Sequence, residues 1–492
     1  GVMVKDIQNG MEIVNGSGDV TLTGDEKKYQ NANLSYFGRF NYDYDGRYLL
    51  ELNGRYDGSS KFRPENRWDF FYGFSGGWRL SEEEFMKNVK FVNELKLRLS
   101  YGVVGNQSGI SRYDGMQLYN FNSVNGAYIG DGRISYIKTS GEIATMGRSW
   151  ERIHNYNLGL DFHLFDSRLQ GTVELFMKKN NNMLIAVAYP GILGDKAPAS
   201  NSGKFEAKGY EGTVTWSDKI GKVNYHVGGT FTYADNKLVD YGGVTVFKSG
   251  FVDKQQGYSL NSVFGLKYCG KIQTEEQLRK YIYKYYNSNG IGMPKDLRLG
   301  DNMYEDVNGD GKLDEKDYVY LGSDDPKISY SFNVGIEWNN FDLSAVFQGT
   351  AKRTIFRDES NDNYRIPMRA AHLNSTTQSV GNVWSPDNRD GRYPTYTNIS
   401  TINNYNYQCS SWSVENGNYL RLKSLTLGYN FPASLLSKTK AISRLRIYVS
   451  GADLWEVSKI NDGWDPEASR KVSGNGRFPF NRTCTVGLDV TF

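Results

Sequence analysis

Apolar and polar residues alternate with period two over segments of about ten residues along most of this chain. At the end of the chain, Cys484, Val486, Leu488, Val490 and Phe492 alternate with Thr483, Thr485, Gly487, Asp489 and Thr491. Tyr156, Leu158, Leu160, Phe162 and Leu164 form the apolar side of another segment, with Asn155, Asn157, Gly159, Asp161 and His163 between them. After a turn at Asp166-Ser167 the next segment carries Leu169, Val173, Leu175 and Met177 on one side. Tyr330 to Trp338 repeats the pattern, Asn339-Asn340 turns the chain, and Phe341, Leu343, Ala345 and Phe347 continue it. Each segment thus predicts a strand with one apolar and one polar face.

Thirteen such strands are predicted, near 34–45, 47–58, 68–79, 94–104, 154–164, 168–178, 207–217, 223–233, 329–338, 341–350, 419–430, 444–454 and 483–492. Between Leu422 and Leu425 the phase of alternation flips, which predicts a bulge. The connections differ in length. Asp45-Gly46, 165–167, 217–222 and Asn339-Asn340 are tight, and 80–93 and 431–443 are moderate. The others, 59–67, 105–153, 179–206, 234–328, 351–418 and 455–482, are mostly long. In an up-and-down meander every second connection lies at the same end, so short turns gather at one end and long loops at the other. That is the pattern of an all-β transmembrane antiparallel barrel with long extracellular loops. A propeller would show a repeat every 40–50 residues or so, and none is visible. A soluble sandwich would have shorter and more uniform connections.

Composition adds to this picture. The 36 Tyr and 25 Phe against 11 Pro favour extended structure. Mean hydropathy is −0.59 and no apolar run reaches the length of a spanning helix, but strands that alternate average out as hydrophilic. Net charge is only +3, with no basic block, so nucleic acid is not an expected partner. Cys269, Cys409 and Cys484 lie far apart, outside any CxxC spacing, and the four histidines are scattered. The start, Gly1-Val2-Met3, has no basic or apolar leader pattern.

Several stretches resemble the SusC/RagA family. Arg47 to Leu50 followed by Arg55 to Phe62 resembles its RYLL and RDGSSRF hairpin. Gly77 to Lys87 (GWRLSEEEFMK) is similar to its GWRISEEPFMK turn, and Leu95 to Gly102 with Gly105-Asn106-Gln107 to its LKLRASYG and GNQ run. Asn418 to Tyr429, Leu445 to Gly451 and Thr485 to Phe492 resemble its last three strands. The matches run in family order from about Tyr36 to Phe492. The resemblance implies a barrel of 22 strands around a plug, of which this chain carries the last thirteen; residues 1–33 are then an extracellular loop segment and 34–492 the C-terminal part of the barrel. It further implies import of oligosaccharides or peptides, energised through TonB–ExbB–ExbD, which would engage an upstream part of the protein. A SusD-like surface lipoprotein covers the extracellular mouth in such systems, in some cases as a dimer of barrel–lipoprotein pairs. Membrane lipids would surround the wall.

One local motif points to an ion. Asp306, Asn308, Asp310, Lys312 (through its carbonyl), Asp314 and Asp317 fall at calcium-loop positions 1, 3, 5, 7, 9 and 12, with Gly311 at the turn. Position 12 is Asp where Glu is usual, which shortens the reach of that carboxylate. The expectation is a structural Ca2+ that stiffens the 234–328 loop, set against a plain Asp/Asn/Gly-rich turn. Thr274 to Ile282 predicts a short capped helix, and Ser81 with Glu84 predicts a capping box. The glycines of 126–132 read as turns. No carboxylate pair or nucleophile arrangement marks an enzyme. Tyr119, Phe121, Tyr128, Tyr136, Trp150, Tyr189, Trp384, Trp412 and Trp464 in the long loops could grip a ligand, but loop packing is the simpler assignment. Substrate-contact residues are not legible. Beside active import stand two other readings: a passive porin or structural barrel, and a secreted β protein.

Overall fold

Thirteen long strands form one antiparallel sheet in the computed structural model. It describes residues 30–111, 147–186, 199–242, 255–285, 294–356, 379–437, 441–460, 465–467 and 481–492, and strand pairs in the remaining loops. The strands are β1 (Asn33–Tyr44), β2 (Tyr48–Ser59), β3 (Trp68–Arg79), β4 (Val92–Asn106) and β5 (Glu151–Leu164). They continue as β6 (Leu169–Ala186), β7 (Ala199–Ile220), β8 (Val223–Asp240) and β9 (Ile328–Trp338). The last four are β10 (Phe341–Ala351), β11 (Tyr419–Asn430), β12 (Arg444–Ser458) and β13 (Thr483–Thr491). Each pairs with the next in sequence, so the meander has no crossover. Among the described residues β1 and β13 each pair on one side only.

The strands follow the predicted order; β4, β5 and β12 run a few residues longer, and β6 to β8 much longer. β6, β7 and β8 run 18, 22 and 18 residues, so the predicted long connection at 179–206 shrinks to the segment between Ala186 and Ala199. The apolar alternation stops near Met177 and Tyr210, but the backbone ladder continues beyond it with charged side chains. The predicted bulge is present: pairing of β11 with both neighbours shifts around Lys423, between Leu422 and Ser424. At the turn closed by Arg47 N to Tyr44 O at 3.0 Å, both central residues, Asp45 (φ 54°) and Gly46 (φ 62°), are left-handed, which gives the turn a twist compatible with the strands.

The predicted capping box at Ser81 does not form. Two 3-10 turns, Leu80–Glu82 and Glu84–Met86, fill this connection, and neither has a side-chain cap. Glu84, the acid of the predicted box, pairs with Lys87 instead, and its neighbour Glu83 accepts from Tyr48 Oη at 2.6 Å and Trp78 Nε1 at 2.9 Å, which ties the turn to the sheet.

Register joins the apolar sides of all thirteen strands into one face. One row runs Phe40, Leu52 and Phe74, and another runs Leu99, Leu158, Leu175 and Tyr210. A third crosses Leu427, Val449 and Val486. These side chains are exposed, Val486 by 75%. Aromatic rings gather at both ends of this face. Tyr36 and Tyr56 stack on Trp68 at the long-loop end, and Tyr44 and Trp78 flank Tyr48 at the other. From Trp68 to Trp78, at about 3.3 Å per residue and a tilt of about 40°, the band is about 25 Å tall. An exposed apolar surface of this extent is unstable in water and suits a bilayer.

Of the first 29 residues, only Glu12–Val14 and Val20–Leu22 are described, as a short antiparallel pair. The rest of that segment lies outside the described residues.

Candidate functional site: a polar wall and a folded cap

The face opposite the apolar band carries the intervening residues of every strand, most of them polar or glycine. Arg98 on β4 reaches across β5 to β6, with Asp161 at 2.7 and 2.8 Å and Glu174 at 2.6 Å, and Thr172 donates to Asp161. Arg446 on β12 pairs with Asp342 on β10 at 2.6 Å and with Asp489 on β13 at 3.4 Å. A recess of about 820 Å³ lies against the first five strands, lined on its polar side by Arg39, Glu51, Asn53, Lys96, Arg98 and Asn155. Such a surface offers many hydrogen-bond donors and acceptors to water or to a polar ligand.

Nearer the long-loop end the bulge in β11 serves this face. It brings Arg421 and Lys423, on either side of Leu422, to the loop after β12. Arg421 is fully buried and meets Glu456, Asp465 (2.8 Å) and Glu467 (3.2 Å). Lys423 binds Asp453 at 2.9 Å and Glu467 at 3.1 Å. This cluster ties residues 465–467 to the wall.

The two longest loops fold together. Leu266, Ile272, Tyr285, Leu297, Tyr304 and Leu313 from the loop after β8 enclose Tyr405 from the loop after β10 in one hydrophobic core. The helix predicted over 274–282 forms as α1 (Glu275–Tyr285), started by Thr274 Oγ1, which accepts from Gln277 N, while Gln277 Oε1 accepts from Thr274 N. Buried polar bonds cross between the loops. Tyr281 and Tyr405 hydroxyls lie 2.7 Å apart. Asn406, in α2 (Ser400–Asn406), accepts from Asn302 N at 2.8 Å and donates to Asp301 at 2.8 Å. Burial raises the Asp301 carboxyl above its ordinary pKa, against the pull of Asn406, Arg298 N and the Arg298 charge. Sequence periodicity gave no signal for this cap, because its core draws single residues from irregular segments.

The calcium-type loop lies beside α1. Asp306 is buried and accepts from Gly309 N at 2.7 Å and Gly311 N at 3.0 Å. Burial pushes its pKa up, but these donors and Lys284 more than offset that, leaving it below the usual value. Asn308 accepts from Asp310 N, Asp310 from Lys312 N, and Asp314 from Lys316 N. Asp317 accepts from Val307 N, Asn308 N and Asp314 N. Lys284 of α1 places its ammonium 3.5 Å from Asp306 Oδ2. Gly309 and Gly311 take positive φ at the turns of this loop. Among the described residues, however, no three His, Cys, Asp or Glu side chains converge closely enough to hold a metal. In this arrangement the carboxylates face backbone N–H groups.

Of the loop aromatics, Trp150 packs between Phe62 and Phe71, and buried Trp384 donates to Gln273. Trp412 packs edge-on against Tyr393 and Tyr407. These three hold loops together. Tyr119, Phe121, Tyr128 and Tyr136 lie in short strands whose side chains are outside the described residues, as are Tyr189 and Trp464.

The family of TonB dependent receptor-like β-barrels matches residues 6–308. The chain belongs to that family. It is 30% identical over 96% of its length to the TonB-dependent receptor P26 of Formosa agariphila, covering 47% of that protein. It is 26% identical over 94% of its length to the TonB-dependent receptor SusC of Bacteroides thetaiotaomicron, covering 44%. Among solved structures the RagAB peptide transporter superposes with a TM-score of 0.75 at 25% identity, over 94% of this chain and 47% of that one. The SusC/RagA resemblance read from the motifs therefore holds, and the chain spans about half the length of the relatives it matches. Receptors of this family are outer-membrane β-barrels, and the apolar band of this chain fits that placement.

Proposed function

We propose that this chain is the C-terminal wall of an outer-membrane, TonB-dependent importer of bulky nutrients. The observation that carries the reading is the pairing of a two-faced meander with a folded cap at one end only. The band supplies the lipid contact, the polar face a wet lumen, and the cap a rigid rim. Nine further strands upstream would bring the total to 22 and close the sheet between β1 and β13. TonB–ExbB–ExbD would act through that upstream part. The cap, polar and aromatic at its surface, suits a broad wet interface with a SusD-like lipoprotein, in keeping with the RagAB likeness. The cargo is an oligosaccharide or a peptide held between the two, and barrel–lipoprotein pairs would dimerise. Residues 306–317 would hold a structural calcium if Asp310 and Asp314 turn inward toward Asp306 and Asp317. A passive porin is the alternative.

Gentle detergent extraction of the full-length protein from native membranes tests this. The proposal expects a surface lipoprotein to co-purify, and deletion within 357–378 to spare the barrel while reducing uptake. A barrel that emerges alone, with uptake independent of TonB, favours the porin.

A further inference from the structure

The extension of β6, β7 and β8 past the apolar band has a charge pattern of its own. On the face that carries the band, the last aromatic rows are Tyr210 and Tyr233, stacked at 5.2 Å. Immediately above them, Lys208 stands opposite Asp235, and Glu206 opposite Lys237. Lys179 extends the second row from β6, 3.4 Å from Glu206. Lys327, entering β9, binds Asp235 at 2.9 Å, and Lys352, leaving β10, lies over the Tyr233 ring at 5.7 Å. Five lysines thus face two carboxylates. Both carboxylates are engaged by Lys179 and Lys327, and Lys208 and Lys237 are exposed, with no ion-pair partner among the described residues.

The patch is local. One row beyond Tyr36, Tyr56 and Phe70 on β1 to β3, the same face carries Leu34, Gly58 and Trp68 instead of lysines. Its height follows from the band. Tyr233 closes an apolar stretch that starts at Val223, about 25 Å below by the same rise and tilt. Lys208 and Lys237 therefore sit one and two side-chain rows above the hydrocarbon edge, where lipid headgroups lie. Lysine near a membrane surface is attracted by anionic lipid, and its stem can lie along apolar surface while the ammonium reaches phosphate.

We propose that this lysine patch on β6 to β10 binds the phosphate groups of an anionic lipid in the leaflet at the long-loop end. The inference rests on the reading of the apolar face as a lipid surface. Compact ammonium charges suit phosphate, and the surplus over carboxylates leaves two lysines for it. Chain tails would lie against the rows below, from Leu175 and Tyr210 downward.

The test uses the full-length receptor in phosphatidylcholine vesicles, with and without a bisphosphorylated glucosamine lipid, reading the thermal midpoint and the lipid retained on extraction. The phosphorylated lipid is expected to raise the midpoint and to stay bound. K208E/K237E, and separately K208Q/K237Q, should lose most of that shift, whereas K96E on the polar face should keep it. The proposal is overturned if a dephosphorylated lipid gives the same shift, if inorganic phosphate alone reproduces it, or if both double variants retain it. A receptor that never enters vesicles overturns the lipid-facing reading itself, which separates the two failures.

Discussion

Replacing Asn406 by Leu probes whether the two long loops form one cooperative cap. Leu keeps the branching and the number of side-chain heavy atoms of Asn but deletes two buried bonds, leaving Asn302 N–H and the Asp301 carboxyl short of a partner. Each unsatisfied buried group costs about 1–3 kcal/mol, so the cap loses about 2–6 kcal/mol. Hydrogen exchange on the full-length protein should show protection falling about 30-fold or more, at one tenfold per 1.4 kcal/mol. Because the bonds cross loops, the loss should appear both around 266–304 and around 400–410. The effect also depends on pH. Burial already raises the Asp301 pKa in the folded state, so its charged form costs stability as pH rises from the ordinary 3.8 through the raised value. Loss of Asn406, which lowers that pKa, enlarges the cost, so the variant's deficit should shrink on acidification. Loss confined to α2, with 300–304 as protected as before, would refute the shared core.

Two further outcomes follow from other parts of the molecule. Leu488→Arg places a charge in the apolar row with Ile447 and should cost about 2–4 kcal/mol in vesicle-refolding titrations, with Cys484, also on that face, left intact. Calcium added to the full-length receptor should give heat by calorimetry and lower exchange across 306–317, and Asp310→Ala should abolish both; no heat in the parent protein would remove calcium from the account.

What could be read from the sequence and what could not divide along physical lines. Strands were legible because burial against lipid imposes strict alternation, and the bulge at Lys423 was legible as a phase error in that alternation. The extensions of β6 to β8 were missed because above the band charged and amide residues such as Lys178 to Asn182 are followed by an unalternated apolar run, Met183 to Ile185, so alternation stops while backbone pairing goes on. The cap was missed because Leu266, Tyr304 and Tyr405 meet through folding of irregular chain, with no period to announce it. The Ser81 capping box failed for another reason: its acid, Glu84, pairs with Lys87, and the turn it opens starts from Glu83. The 306–317 spacing marked an Asp/Asn/Gly-rich turn, but it could not show that its carboxylates bond backbone N–H groups, because those contacts depend on how the loop folds.

The central claim is that one face of the sheet meets lipid and the other a wet lumen. Single cysteines placed along β13 of the full-length protein, with Cys484 replaced by Ser and Cys269 and Cys409 by Ala, can carry spin labels at positions 485 to 490. Collision with oxygen should be high at 486, 488 and 490, and collision with a water-soluble nickel chelate high at 485, 487 and 489. Accessibility without that alternation, or with the two sets reversed, would contradict the account.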